Sequence, residues 1–217
     1  MHQHILANEI EYETVSSITL PITLNYLDIL KTFIDKDITV AINGNANYLA
    51  ALGLCTYTEI LGGLYSGDLI NDLGKHYLQF IKDFFPQEYI LVDTNLKQDG
   101  FCRGLYEVVR SGLTHEYFIK SKSKVEIDNT HAISSGIMYD SKSNPQIIFY
   151  VRRYFKDFND AFLKYYEKLK TDPAVLVNFV NAHTNAKSSL INDMNTNFSS
   201  AVSGGWSGGV YKRTGTP

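Results

Sequence analysis

Arg110 and His115 stand five residues apart in FCRGLYEVVRSGLTHEYFIK, residues 101–120, and they supply the two groups that metal-free cleavage of RNA requires. A guanidinium stays charged at any accessible pH and grips a phosphate through paired N–H donors. An imidazole titrates near neutrality and so moves a proton. When a ribose 2′-OH attacks its neighbouring phosphate, charge develops on the phosphoryl oxygens. Arg110 would stabilise that charge while His115 exchanges the proton. Ser111 follows the arginine directly. Glu59, inside the apolar segment YTEIL, needs a partner if it is buried and would then orient one of the pair. Arg103, Lys120, Lys122 and Lys124 flank the motif and are the candidate phosphate or RNA contacts.

Each of these residues also has an ordinary structural use. Arg103, Glu107 and Arg110 have the spacing of a solvated ion-pair ladder, worth a few tenths of a kcal/mol per pair. His115 can close a helix end, Glu59 can be an exposed or simply paired acid, and alternating lysines commonly protect an edge strand from aggregation. On an ideal helix Arg110 and His115 lie about 140° apart, with Arg110 on the polar stripe and His115 toward Val108. Bringing them together takes a helix loosened at Gly112 or a wide cleft shared between chains.

The elements that must hold these groups are legible from period and punctuation. Residues 1–16 read as a loose or short extended lead-in. An apolar series from Ile18 to Phe33 follows, with Pro21 suited to a first helical turn. A second, buried helix runs through ANYLAALGLCTYTEIL until Gly62-Gly63, and Ala46, Ala50 and Gly53 give it a small-residue groove for a close neighbour. The spacing predicts a third helix over 69–85, stopped by Pro86. A polar loop follows from Gln87 to Asp99, and then a motif helix opened by Asp99 or Gly100 with the stripe Phe101, Leu105, Val108, Val109 and Gly112. The period then changes. Tyr117–Ile119, Lys124–Ile127, Ile133–Tyr139 and Gln146–Val151 read as strands of a small antiparallel meander, with DSKSNP turning between the last two. From residue 154 the pattern is helical again, with Phe155, Phe158, Phe162, Tyr165, Tyr166 and Leu169 inward, and Asp172-Pro173 opens one more helix.

The fold class is therefore α+β and mostly α, a helical bundle with a β insertion at about 117–151. Residues 1–182 form one domain, and the Ser-, Gly- and Asn-rich stretch 183–217 reads as a flexible tail. A 44% hydrophobic, 20% charged composition supports a sizeable core. The formal charge of −3 gives no global basic field, so RNA contact has to come from a local patch. Cys55 and Cys102 lack metal or disulfide spacing, His2 and His4 sit in the lead-in, and His76 and His131 are isolated. No metal or cofactor is expected, and no nucleophile-elbow, Walker or zinc-protease motif occurs. Tyr150, Tyr154, Tyr165 and Tyr166 surround Arg152 and Arg153, as a stacking surface or, more simply, a helix–sheet interface. Without a cationic leader or an apolar run of about 20 residues, the expected compartment is cytoplasmic and no membrane contact is expected.

YEVVRSGLTHEYF resembles the R-x4-6-H signature of the HEPN superfamily, and NGNANYLAALGLCTYTEILGGL resembles an earlier helix of uncharacterised bacterial HEPN-like proteins. The likeness covers about residues 25–115. It implies a HEPN-like helical bundle that pairs as a homodimer, with Arg110 and His115 of both chains facing a shared cleft. It further implies RNA or a nucleotide as ligand, metal-independent endoribonuclease activity in active members, and a neutralising protein partner. Other members of the superfamily are noncatalytic nucleotide or protein binders. Here Ser111 stands where the family usually has Asn, Asp or His, and the spacer of four is the shortest the family accepts.

Overall fold

The computed structural model describes residues 2–100, 104–115, 122–127, 134–140 and 146–203. Helix α1 spans His2–Asn43 and α2 Asn47–Ser66, α3 spans Leu73–Phe84 and α4 Glu88–Gln98. A π-helical segment Tyr106–Ser111 continues into the short α5, Gly112–His115. Strands β1 (Lys122–Glu126), β2 (Ile137–Asp140) and β3 (Gln146–Tyr150) precede the closing helices α6 (Val151–Thr171) and α7 (Pro173–Ser203). Among the described residues, no helix is long and apolar enough to cross a membrane.

Helix α2 is the hub. It packs against α1, α3, α6 and α7 and also touches β1 and the π-helical segment. Its glycines do not stop it, as their sequence position implied, because they are packing residues. A Cβ on Gly62 would lie 2.5 Å from the His76 carbonyl oxygen, and one on Gly63 would lie 2.8 Å from that of Asp68. The stop comes at Gly67, whose φ of 90° is open to glycine and whose N–H donates to the Gly63 carbonyl at 2.9 Å. The expected close approach at Gly53 is present, where a Cβ would meet Ile38 of α1 at 3.0 Å.

Three more expectations are corrected along the helices. Helix α1 begins at His2 instead of after a loose lead-in, and Pro21 lies inside it. No glycine or proline interrupts residues 2–20, and Leu27, Ile34, Ile38 and Ala41 anchor the downstream half in the core. The stretch from Gln87 to Asp99 is not a loop but contains α4. Its buried side chains Tyr89, Val92, Asp93 and Leu96 recur at helical spacing beneath a polar outer face. Helix α7 runs on to Ser203, so the stretch 183–203 is helical and only residues beyond it lie outside the described ones. In α6 the inward row is Tyr154, Phe158, Phe162, Tyr165 and Leu169, while Phe155 and Tyr166 are half-buried.

The sheet is mixed, not the antiparallel meander the turn signals implied. Its order is β1-β3-β2, with β2 and β3 antiparallel and β1 parallel to β3. The hairpin expectation thus holds for β2 and β3. Strand β1 instead takes the other side of β3, whose Ile147 and Phe149 are fully buried and need cover on both flanks. The expected strand Tyr117–Ile119 lies outside the described residues. The sheet is fastened to the bundle by polar contacts. Asn47 Nδ2 donates to the Val125 carbonyl at 3.2 Å, and Tyr139 OH donates to Asp99. The buried Tyr89 hydroxyl accepts from Gly136 N–H and donates to Asp157, both at 2.8 Å, while Arg153 Nε completes the carboxylate's shell at 3.0 Å.

Candidate functional site

The motif helix is set by its first residues. Gly104, at φ 53°, has its Cα against Asp93, and any Cβ there would collide with the Asp93 carboxylate. That carboxylate accepts from Leu105 N–H at 2.9 Å and pairs with Lys97 Nζ at 2.6 Å, so α4 fixes where the helix starts. The expected opening at Asp99 or Gly100 abuts residues 101–103, and these, Phe101 and Arg103 included, lie outside the described residues.

Leu105, Val108, Val109 and Leu113 face the core. Between them Tyr106–Ser111 is wound with π-type bonds, so each residue advances less around the axis than in an α-turn. The helix is thus loosened before Gly112 and mostly before Arg110, since only the first of the five steps from Arg110 to His115 is π-wound. It carries Arg110 toward the buried side, where it meets Glu59 of α2. Arg110 Nη2 donates to Glu59 Oε1 at 2.9 Å and Nε stands 2.7 Å from Oε2. The first contact is an aligned hydrogen bond. The second is a close ion-pair contact. Glu59 keeps 7% of its side-chain surface exposed and Arg110 18%, so this is a largely desolvated pair. Glu59 is thus a paired acid and Arg110 is its partner, while Arg103 of the expected ladder lies outside the described residues.

His115 ends α5, and Ser111 ends the π-helical segment half-buried; the His115 side chain is not among those described. Lys122 lies in β1 with its side chain likewise outside the description, as is all of Lys120. Lys124 is exposed on the edge strand β1 and pairs with Glu126 at 2.5 Å, which raises its pKa. That is the edge-strand use of a lysine. Tyr150, Tyr154 and Tyr165 are buried and so are interface rings, while Tyr166 is half-buried beneath Lys170 Nζ.

A groove of about 860 Å³ opens between α3 and α4, and Tyr106 of the π-helical segment lines it with Lys75, Gln79, Lys82, Asp93 and Lys97. Gly74 lets the ring sit close, since a Cβ there would be 2.7 Å from it. Sequence reasoning missed this groove, whose lining sets Lys75, Lys82 and the Lys97–Asp93 pair, with Asp72, around the Tyr106 ring. Lys75, Gln79 and Lys82 share one face at i, i+4, i+7, but their counterparts lie on α4, which its polar outer face concealed.

Behind the ion pair lies a sealed polar cluster. Thr58 Oγ1 donates to the Leu54 carbonyl at 2.8 Å and stands 3.1 Å from Tyr154 OH, which stands 3.2 Å from Tyr77 OH. Burial pushes the neighbouring Cys55 thiol up to about 12, against a hydrogen bond from Tyr77 that lowers it. Cys55 should therefore resist maleimide in the native protein at pH 8 and react fully only in denaturant, as read by peptide mass spectrometry. Native labelling at that position would show that the cluster opens. Among the described residues no three His, Cys, Asp or Glu side chains converge as a metal site. Comparison of the chain with protein families, curated proteins and solved structures finds no match.

Proposed function

We propose that this chain is a HEPN-like protein that acts on RNA, with Arg110 and His115 as the reacting pair and Glu59 as the group that positions Arg110. The observation that carries the reading is the buried fork between Glu59 and Arg110 at a π-helical turn immediately before the residues leading to His115. A guanidinium held by a buried carboxylate keeps a fixed orientation and has less rotamer freedom to lose on meeting a phosphate. Arg110 would hold the scissile phosphate and stabilise the charge growing on its oxygens. His115 would take the proton of the attacking 2′-OH, the bond from phosphorus to the 5′ oxygen would break, and that oxygen would take a proton from solvent. The groove walled by Lys75, Lys82 and Lys97 and floored by Tyr106 gives the strand phosphate contacts and one ring to stack on.

A second reading, a noncatalytic HEPN-like binder of nucleotides or proteins, draws on the same pair. Glu59 neutralises Arg110, and the pair is largely buried, as a structural strut would be. One assay separates them: mixed-sequence RNAs in excess chelator, cleaved by wild type and by His115→Ala. The expected result is a loss of about 10²-fold or more in cleavage rate on removing the imidazole. Equal background from both proteins ends the nuclease reading, and RNA affinity that falls with Lys75→Glu and Lys82→Glu would then leave binding alone.

A further inference from the structure

Helix α1 carries two apolar faces, and only one of them is covered. Leu27, Ile34, Ile38 and Ala41 point into the core. On the opposite side Ile22, Tyr26, Ile29, Phe33, Lys36 and Val40 follow one another at spacings of 4, 3, 4, 3 and 4 residues. That alternation is the heptad seam of a coiled coil, and it keeps all six within about 80° of arc on an ideal helix. Ile22, Ile29, Phe33 and Val40 stand 50–66% exposed, where a surface helix ordinarily carries charge. At the Val40 end the row runs into a groove of about 570 Å³ between α1 and α2, walled by Leu49, itself 64% exposed, with Leu52 and Tyr57. At the other end Tyr26 lies edge-on to Phe179 and His183 of α7, so the row is bordered by packed helices and held rigid.

We infer that this outer face of α1 is a self-association surface, on which a second copy of the chain lays the same face of its own α1 in antiparallel orientation about a two-fold axis level with residue 31. In that register Ile22 faces Val40, Ile29 faces Phe33, and Lys36 lies level with the Tyr26 ring, so every large apolar residue of the row meets an apolar body. An isologous contact requires such self-complementarity. The flanking positions on the solvent side include Asn25, Thr32 and Thr39, so no like-charged rows are forced together. At roughly 150–200 Å² for a fully exposed large side chain, the row with Leu49 offers about 600 Å² per chain. A standard interface buries about 800 Å² per partner, and the polar flanks can supply the remainder. The inference does not depend on the RNA reading. It puts the contact on α1 and not on the motif helix where the HEPN resemblance implies one.

The test is the mass in solution of the full chain, measured by light scattering and sedimentation equilibrium from about 1 to 100 μM, concentrations that bracket micromolar affinity. Wild type is expected to be dimeric in the upper range. Phe33→Glu and, as a second variant, Ile29→Glu should each be monomeric with unchanged far-UV circular dichroism, because both positions face solvent in the single chain. Leu91→Glu, at an exposed position of α4, should leave the mass at that of wild type. A monomeric wild type throughout, dimers that survive both variants, or dissociation caused equally by Leu91→Glu would each overturn the proposal.

Discussion

Glu59→Ala is expected to lower the stability of the fold by about 3–5 kcal/mol, because it strands the Arg110 guanidinium among buried side chains with its carboxylate gone. Removing both charges is a different experiment. Glu59→Leu combined with Arg110→Met replaces the pair by apolar bodies of similar volume and should recover most of that loss. Denaturant melts of the two single variants and the double variant, combined as a cycle, give the coupling directly. A Glu59→Ala protein within about 0.5 kcal/mol of wild type would mean that water reaches the guanidinium freely, and the picture of an arginine fixed from behind would fall with it. Stability and RNA cleavage can be read on the same variants. A Glu59→Gln protein that keeps its fold but loses cleavage would place the carboxylate in the reaction's geometry as well as in the fold.

The second large effect is at high pH. Burial raises the Tyr77, Tyr89 and Tyr154 phenols well above their ordinary value and raises that of Tyr165 too. In the unfolded chain these groups ionise near pH 10. Above that pH the unfolded state binds fewer protons than the folded one, so stability is fully present below about 10 and falls as pH climbs toward the folded values. With three or four such groups the slope is about 4–6 kcal/mol per pH unit. A domain of ordinary stability, about 5–15 kcal/mol, should then unfold within about one to four units above that, centred near pH 12. Absorbance at 295 nm and far-UV circular dichroism should change together in one cooperative step. Gradual ionisation of all 15 tyrosines with the helical signal intact would refute the sealed cluster.

What could be read from the chain beforehand follows the physics of each segment. Helices α3 and α6 are visible because one-sided spacing and tertiary burial agree there, and α2 because a nearly continuous apolar run marks a buried helix. Helix α4 was hidden because it buries only a narrow stripe that includes Asp93, a charge held by Lys97 one turn on and by the Leu105 N–H beyond the helix. Gly62 and Gly63 look like a stop until His76 and Asp68 are seen pressed against them. The parallel pairing of β1 with β3 is a non-local choice that turn residues between neighbours cannot announce. At the site, Glu59 is recognisable as an acid in an apolar helix that needs a partner. Which arginine answers it depends on the π-helical winding, for which YEVVRS carries no signal that we can identify.

The Tyr89 hydroxyl ends up as a rivet. One small oxygen joins the backbone at Gly136 to the carboxylate of Asp157, and so locks the rim of the sheet to two helices that flank it in the chain. A three-stranded sheet this small has little holding power alone. Fastened in this way it cannot peel away or melt by itself, and local damage at that rim should travel into the centre of the bundle as a loss of the whole.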